Sequence, residues 1–307
     1  MTKDIALLEN EEGLTVEVSP LGGAILSARW CGVPVFAPTP APGLASQVFG
    51  AEACFPLVPF GNRIEANGFQ FDGRDYRLAA NTSDPLVLHG DGWLGRWSIL
   101  QRDRQSLTLR FDQEASFATP FAYEAVETIA IDGARLILSL SITNRADQAL
   151  PYGLGFHPYF PRTPETRLVA RADRCWSERE GHLPDRPVPI FQNMNFASGS
   201  PLPPDWLNNA FDGWDGRARI EWPETGLAAS LEADGHFRFF VLYSPSATSS
   251  FFCFEPMSHR PNAHRDQHDG GLVTVEPHQS LTGTIALRIE ELAATSMLSP
   301  FVQNIST

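Results

Sequence analysis

The chain has 307 residues, 43% hydrophobic and 19% charged, proportions of a globular protein with a sizeable core. Its formal net charge is −13 and it has no run of Lys or Arg, so nucleic acid and anionic membrane are not expected partners. No apolar stretch approaches the ~18 residues that span a bilayer. MTKDIALLEN at the start lacks the apolar centre and small-residue cleavage site of a secretory signal, so a cytoplasmic location is expected. Cys31, Cys54, Cys175 and Cys253 stand far apart without a CxxC, which fits four free thiols in a reducing compartment.

The dominant period along the chain is two. LTVEVS (14–19) alternates apolar and polar residues and predicts a strand. The Pro-rich stretch 34–43 reads as an ordered loop, as does SPLPPDW (200–206). ACFPLVPFGNRI (53–64) carries Pro56 and Pro59, which predict an extended edge segment ending in Asn62 and Arg63. FQFDGRDYRL (69–78) predicts a hairpin turning at Asp72–Gly73. LVLHGDGW (86–93) reads as a strand end turning through Gly90 and Gly92 towards Trp93. YEAVETIAIDGARLILSLSITN (123–144) predicts a long hairpin turning at Asp132–Gly133. Further strand-like runs are RLVARA, ARIEWP, LAASLEA, FRFFVLYS, SFFCFE and LTGTIALRIE, and amphipathic helical windows are absent. So many strands, punctuated by 24 Gly and 25 Pro, predict an all-β protein folded as one large β-sandwich spanning 1–307. The tail after Glu291 is mixed in polarity and reads as surface packing.

Four stretches place ionisable or donor side chains among residues that restrict the backbone. Arg63, beside Pro and Phe, is either a solvated charge or a planar fork for hydroxyls or a carboxylate. His89, a glycine turn and Trp93 together fit a carbohydrate subsite, although a lone strand-end His is more often structural. His157, in PYGLGFHPYF (151–160), is either a packed core residue or a proton donor against an aromatic wall. In SFFCFEP (250–256) period two puts Phe251, Cys253 and Glu255 on one face, where burial sharpens a carboxylate as a base. Two histidines, one arginine and one carboxylate without metal-ligand spacing suit general acid–base chemistry on a neutral hydroxylated substrate, with no metal or cofactor. Ser hydrolysis has no Gly-x-Ser-x-Gly here, and a two-carboxylate glycosidase lacks its second group. Glu276, in TVEPHQ, competes locally with Glu255 for the role of base. His259, His264 and His268 have spacings that match no common metal signature and read as a solvated loop near the site. Trp93, Trp97 and Trp214 are more often packing than sugar platforms, with one of them expected at the ligand.

These motifs, in this order, resemble the aldose 1-epimerase (galactose mutarotase) family. FPLVPFGNRI, LHGDGW, GFHPYF and FFCFEP are similar to its Asn-Arg-Ile, His-Gly, His-x-Tyr-Phe and catalytic-glutamate segments, and SPLGGAILSARWCGVPV to its first hairpin. The resemblance runs from about Ser19 to Glu290 and implies a mutarotase-like super-sandwich. It further implies Glu255 as the base at the C1 hydroxyl, His157 as the acid at the ring oxygen and His89 as a hydrogen-bond donor to that oxygen. Arg63 and Asn62 are implied as hydroxyl ligands, as is Asp212 in NNAFDGWDG, which also has a turn-forming reading. The implied reaction interconverts α and β anomers of a free aldose. Two departures stand out: Phe156 replaces an Asn common in the family, and a substrate-contacting Gln has no match, which predicts a different substrate rim. The alternatives are a hexose 6-phosphate substrate, for which Arg63, Arg74, Arg77 and Arg96 are available, and a non-catalytic carbohydrate-binding protein.

Overall fold

The computed structural model describes residues 5–37, 52–266 and 270–292. Among these residues the structure is strand, turn and four three-residue 3-10 segments, with no α-helix. The alternation of the sequence is realised strand by strand: Leu14–Ser19, Tyr123–Asp132 and Arg135–Asn144 bury every second side chain. Part of the 34–43 loop, His268 and the tail beyond 292 lie outside the described residues.

Two large antiparallel sheets form the body. The nine-stranded sheet runs, in spatial order, Ser200–Pro201, Arg167–Ala170, Arg217–Trp222, Leu227–Ala233, Ser280–Glu291, Arg135–Asn144, Tyr123–Asp132, Ser106–Gln113 and Ser98–Arg102. The second sheet runs Leu183–Val188, Arg174–Arg179, Leu207–Asp212, Phe239–Ser244, Phe251–Met257, Gly155–Phe156 and Pro56–Leu57, with Tyr159–Pro161 also pairing to Phe251–Met257. A four-stranded sheet, Ala6–Glu9 to Val33–Phe36, adds Leu8, Val16, Val18 and Ile25 to the core. The core between the large sheets takes Ile220, Leu231, Leu287 and Leu140 from one and Phe211, Phe240, Phe252 and Phe254 from the other. The two sheets pack face to face as a β-sandwich.

The turns follow their residues. In the 68–77 hairpin Phe71 pairs with Arg74, leaving Asp72 and Gly73, both at positive φ, as a two-residue turn. In the 123–144 hairpin Asp132 is the last paired residue, opposite Arg135, so the turn is Gly133–Ala134, one residue later than expected. Pro56–Leu57 is the edge of its sheet, where the missing N–H of a proline costs least. The His89 segment departs from expectation. It is not a strand end but an irregular loop tied by single bridges, Arg63 to Leu88 and Val58 to Gly90.

Candidate active site

Several segments of the second sheet and its neighbouring loops converge on one cavity of about 260 Å³, near the lower end of the range for small-molecule pockets. Its floor is the strand Phe251–Met257. The odd positions of this strand face away from the main core, so Phe251 and Glu255 line the cavity while Phe252 and Phe254 pack between the sheets. Cys253 lies between them in a smaller apolar cluster with Phe55, Leu57, Trp93, Tyr159 and Met257.

His157 follows the short strand Gly155–Phe156, and its N–H donates to the Phe55 carbonyl at 2.9 Å. Its ring packs against Phe55 (centroids 4.6 Å apart) and Tyr159 (4.9 Å), which lie 6.4 Å from each other, with His89 edge-on at 5.1 Å. Nε2 lies 3.2 Å from Glu255 Oε1, and both side chains are almost wholly buried. His157 Nδ1 and Glu255 Oε2 have no hydrogen-bond partner among the described residues. A buried polar atom left unpaired costs about 1–3 kcal/mol, so such an arrangement is retained where a ligand completes it. Burial pushes the Glu255 carboxyl up to about 8, against the pull of Arg63, and pushes His157 down to about 3.

His89 sits at φ 58° in the left-handed region, immediately before Gly90 at φ 66°. Its Nδ1 accepts the Asn62 N–H at 3.0 Å, so the proton of the neutral ring is on Nε2, which makes that nitrogen a donor. Burial and the neighbouring His157 push its pKa well below the usual histidine value, which keeps it in that neutral form. Asn62, itself at φ 61°, is a framework residue as much as a lining one, since its Oδ1 accepts the Arg63 N–H at 2.9 Å. The Arg63 guanidinium lines the cavity and donates from Nε and Nη2 to Asp84 Oδ2 at 2.9 and 2.8 Å, which fixes its plane. Trp93 lines the wall, stacked on Phe55 at 5.4 Å. Its Nε1–H is taken by the Leu88 and Gly90 carbonyls, so it presents a ring rather than a donor.

Asp212 does not line this cavity. Its carboxylate accepts from Arg174 Nε at 2.9 Å and Trp176 Nε1 at 3.0 Å. In its place the same strand, Leu207–Asp212, presents Asn208. The reading of His259 and His264 as a solvated loop is also corrected, because both are buried. His259 Nε2 accepts the Gly61 N–H at 2.9 Å and its Nδ1 is 2.8 Å from the Arg260 carbonyl, so this histidine braces the segment that carries Asn62. His264 packs against Phe60 and Phe69. Trp97 and Trp214 are core residues. Glu276 is exposed and away from the cavity. Sequence reasoning missed His182, Trp206, Asn208 and Tyr243, which complete the mouth.

Arg63 is the one Lys or Arg among the lining residues; Arg74 instead bonds to Gln148 on the outside of the molecule. His157, Cys253 and Glu255 bring one potential ligand atom each within 4.8 Å of one another, the only grouping of this kind among the described residues that a cation could use. The arrangement can move one proton between two buried groups that face a partly open cavity lined largely by aromatic rings. Among the described residues no helix is long and apolar enough to cross a membrane.

Residues 4–288 match the family model for aldose 1-epimerase. The chain is 37% identical over 287 residues to YphB of Escherichia coli K12, a protein without an assigned function, covering 91% of this chain and 97% of that one. A crystal structure from Escherichia coli K12, provisionally described as an aldose 1-epimerase, superposes with a TM-score of 0.87 at 36% identity, covering 94% and 99% of the two chains. An aldose epimerase homologue from C. elegans shares the fold, with a TM-score of 0.80 at 16% identity over 94% and 99%. With a family match across nearly its whole length, laid over a sandwich whose cavity gathers His89, His157 and Glu255, the chain belongs to the aldose 1-epimerase family.

Proposed function

We propose that the protein interconverts the α and β anomers of a free aldose by acid–base ring opening and reclosure. The observation that carries this is the His157–Glu255 pair, 3.2 Å apart among the residues that line the cavity. Burial holds the carboxyl up to about 8 and the imidazole down to about 3, so near neutrality the empty site holds one proton, on Glu255. With sugar in place the proton passes from Glu255 to His157, and from the resulting carboxylate–imidazolium form Glu255 removes the C1 hydroxyl proton while His157 gives its proton to the ring oxygen. The C1–O5 bond breaks, and the aldehyde is left beside Glu255 acid and neutral His157. That is the other placement of the same single proton, so rotation about C1–C2 and the reverse transfers regenerate the pair with the opposite anomer. The His89 Nε2–H supplies a hydrogen bond to the ring oxygen as it takes up charge, and no outside reductant, oxidant or cofactor enters the balance. Phe55, Trp93, Tyr159 and Phe251 offer faces to the C–H side of a sugar ring. The lone Arg63, already held by Asp84, favours a neutral sugar over a phosphorylated one.

Polarimetry on freshly dissolved α-glucose, α-galactose and their 6-phosphates tests the reading. Faster approach to the equilibrium rotation of a free sugar is expected. Sugar binding without acceleration would replace it with a non-catalytic carbohydrate-binding role.

A further inference from the structure

The mouth of the cavity is organised by one carboxylate that the acid–base chemistry leaves unused. Glu178, near the end of the strand Arg174–Arg179, accepts from three side chains that come from two places in the chain, His182 in the adjoining turn and the Trp206–Asn208 stretch. Its Oε1 is 2.6 Å from His182 Nδ1 and 2.7 Å from Asn208 Nδ2, and its Oε2 is 2.8 Å from Trp206 Nε1. All three partners line the cavity, while Glu178 stands behind them. His182, at φ 57° in the turn 180–182 between Arg174–Arg179 and Leu183–Val188, brings its ring back to this carboxylate. Next to Glu178, Arg179 pairs with Glu65 at 2.8 Å and ties the hairpin to the segment just beyond Arg63.

The bonds dictate what the partners present. A carboxylate oxygen accepts, so His182 carries a proton on Nδ1. His89 has the opposite arrangement, with Nδ1 accepting and Nε2 donating. Asn208 keeps its second amide hydrogen and its Oδ1. Trp206, 49% exposed and edge-on to Tyr243 at 5.3 Å, is held with its indole at the rim.

We propose that Glu178 is a positioning residue that fixes His182, Asn208 and Trp206 as one array for the hydroxyls remote from C1, and that its charge selects neutral aldoses over sugars carrying phosphate or carboxylate at that end. This rests on the sugar-epimerase reading above. A half-buried carboxylate that accepts from three donors holds them in one arrangement before substrate arrives.

The test is kcat and KM by polarimetry for wild type, Glu178→Gln and Glu178→Ala, on an active free hexose and its 6-phosphate. Tryptophan emission titrated with the same sugars provides a second readout. Glu178→Ala is expected to raise KM about tenfold or more with kcat within about threefold, because interactions common to ground and transition state are lost. Glu178→Gln, which keeps the shape and one acceptor oxygen, is expected to recover part of the KM and to narrow the preference for the free sugar. It carries the test alone if the alanine variant folds poorly. Unchanged KM and unchanged preference in both variants, or a fall in kcat at constant KM, would overturn the proposal. If wild type turns over no aldose, the epimerase reading fails by itself. The emission titration then decides Glu178: a sugar response lost in the variants supports it, and a response equal in all proteins or absent from all overturns it.

Discussion

At Glu255 and His157 the chemistry depends on two atoms that meet across 3.2 Å beside the rings of Phe55 and Tyr159. Glu255→Gln keeps the shape and removes the proton acceptor; turnover should fall by roughly 10²–10⁴-fold with the fold intact. His157→Asn should do the same, and the double variant should lose less than the product of the two, because the residues act as one unit. Glu276→Gln, at an exposed position away from the cavity, should turn over like wild type, and its inactivation would reassign the base. The pair also sets a pH dependence. The form with one shared proton exists between the His157 value of about 3 and the Glu255 value of about 8. Activity should therefore be flat across neutrality and fall as pH rises through about 8, when that proton is lost. A rate that instead climbs through pH 8 would mean that the doubly deprotonated pair is the working form.

The elements around the pair fix the side chains that the chemistry borrows. Gly90 has φ 66°, and a Cβ there would lie 2.3 Å from the Val58 carbonyl oxygen and 2.7 Å from the Pro59 nitrogen, both backbone atoms. Gly90→Ala should therefore displace the loop carrying His89, with a cost of about 1–3 kcal/mol in stability and a marked loss of kcat/KM. Thermal unfolding and polarimetry on the same sample check this, and native values for both would show that the loop adapts. The strand Leu207–Asp212 shows how far sequence reaches at this scale. Period two puts Asn208 and Asp212 on the same face, so the segment and its face were legible. Four residues of strand span about 13 Å, however, and where the cavity falls along that length is set by pairing with Phe239–Ser244. Asn208 meets the cavity and Asp212 meets Arg174 and Trp176. His182 and Trp206 were illegible for a related reason. Their common partner Glu178 lies four and 28 residues away, and no local pattern records a contact made across a sheet edge.

The whole molecule carries an unusual set of buried titratable groups, and their opposed shifts shape its stability. Desolvation lowers His89 well below its usual value, His259 to about 4 and both His157 and His264 to about 3. Unfolding lets these rings take up protons below about pH 6.5, so stability falls as pH drops from there towards the folded values. Burial raises Glu255 to about 8, Asp91 to about 6 and Glu127 well above the carboxylate range. These groups keep protons that the unfolded chain releases, so their contribution is lost as pH rises through the folded values. The melting temperature should pass through a maximum at about pH 6–6.5 and fall on both sides. A melting temperature that rises steadily to pH 9 would show that the buried carboxyls are ionised in the native state.

Sequence alone determined the all-β class, the hairpins and the order of the four motif segments, because strand period and turn chemistry are local properties written into neighbouring residues. It also singled out His89, His157, Glu255, Arg63, Asn62 and Trp93, whose segments restrict their own backbones with Gly, Pro and aromatic residues. Only the tertiary structure decided that these six line one cavity, that Asp212 does not, and that His259 and His264 are buried braces rather than a solvated loop. The same holds for protonation. Whether a carboxyl rests near 4 or near 8 depends on the water removed from around it, and that is a property of the packed sheets rather than of any stretch of chain.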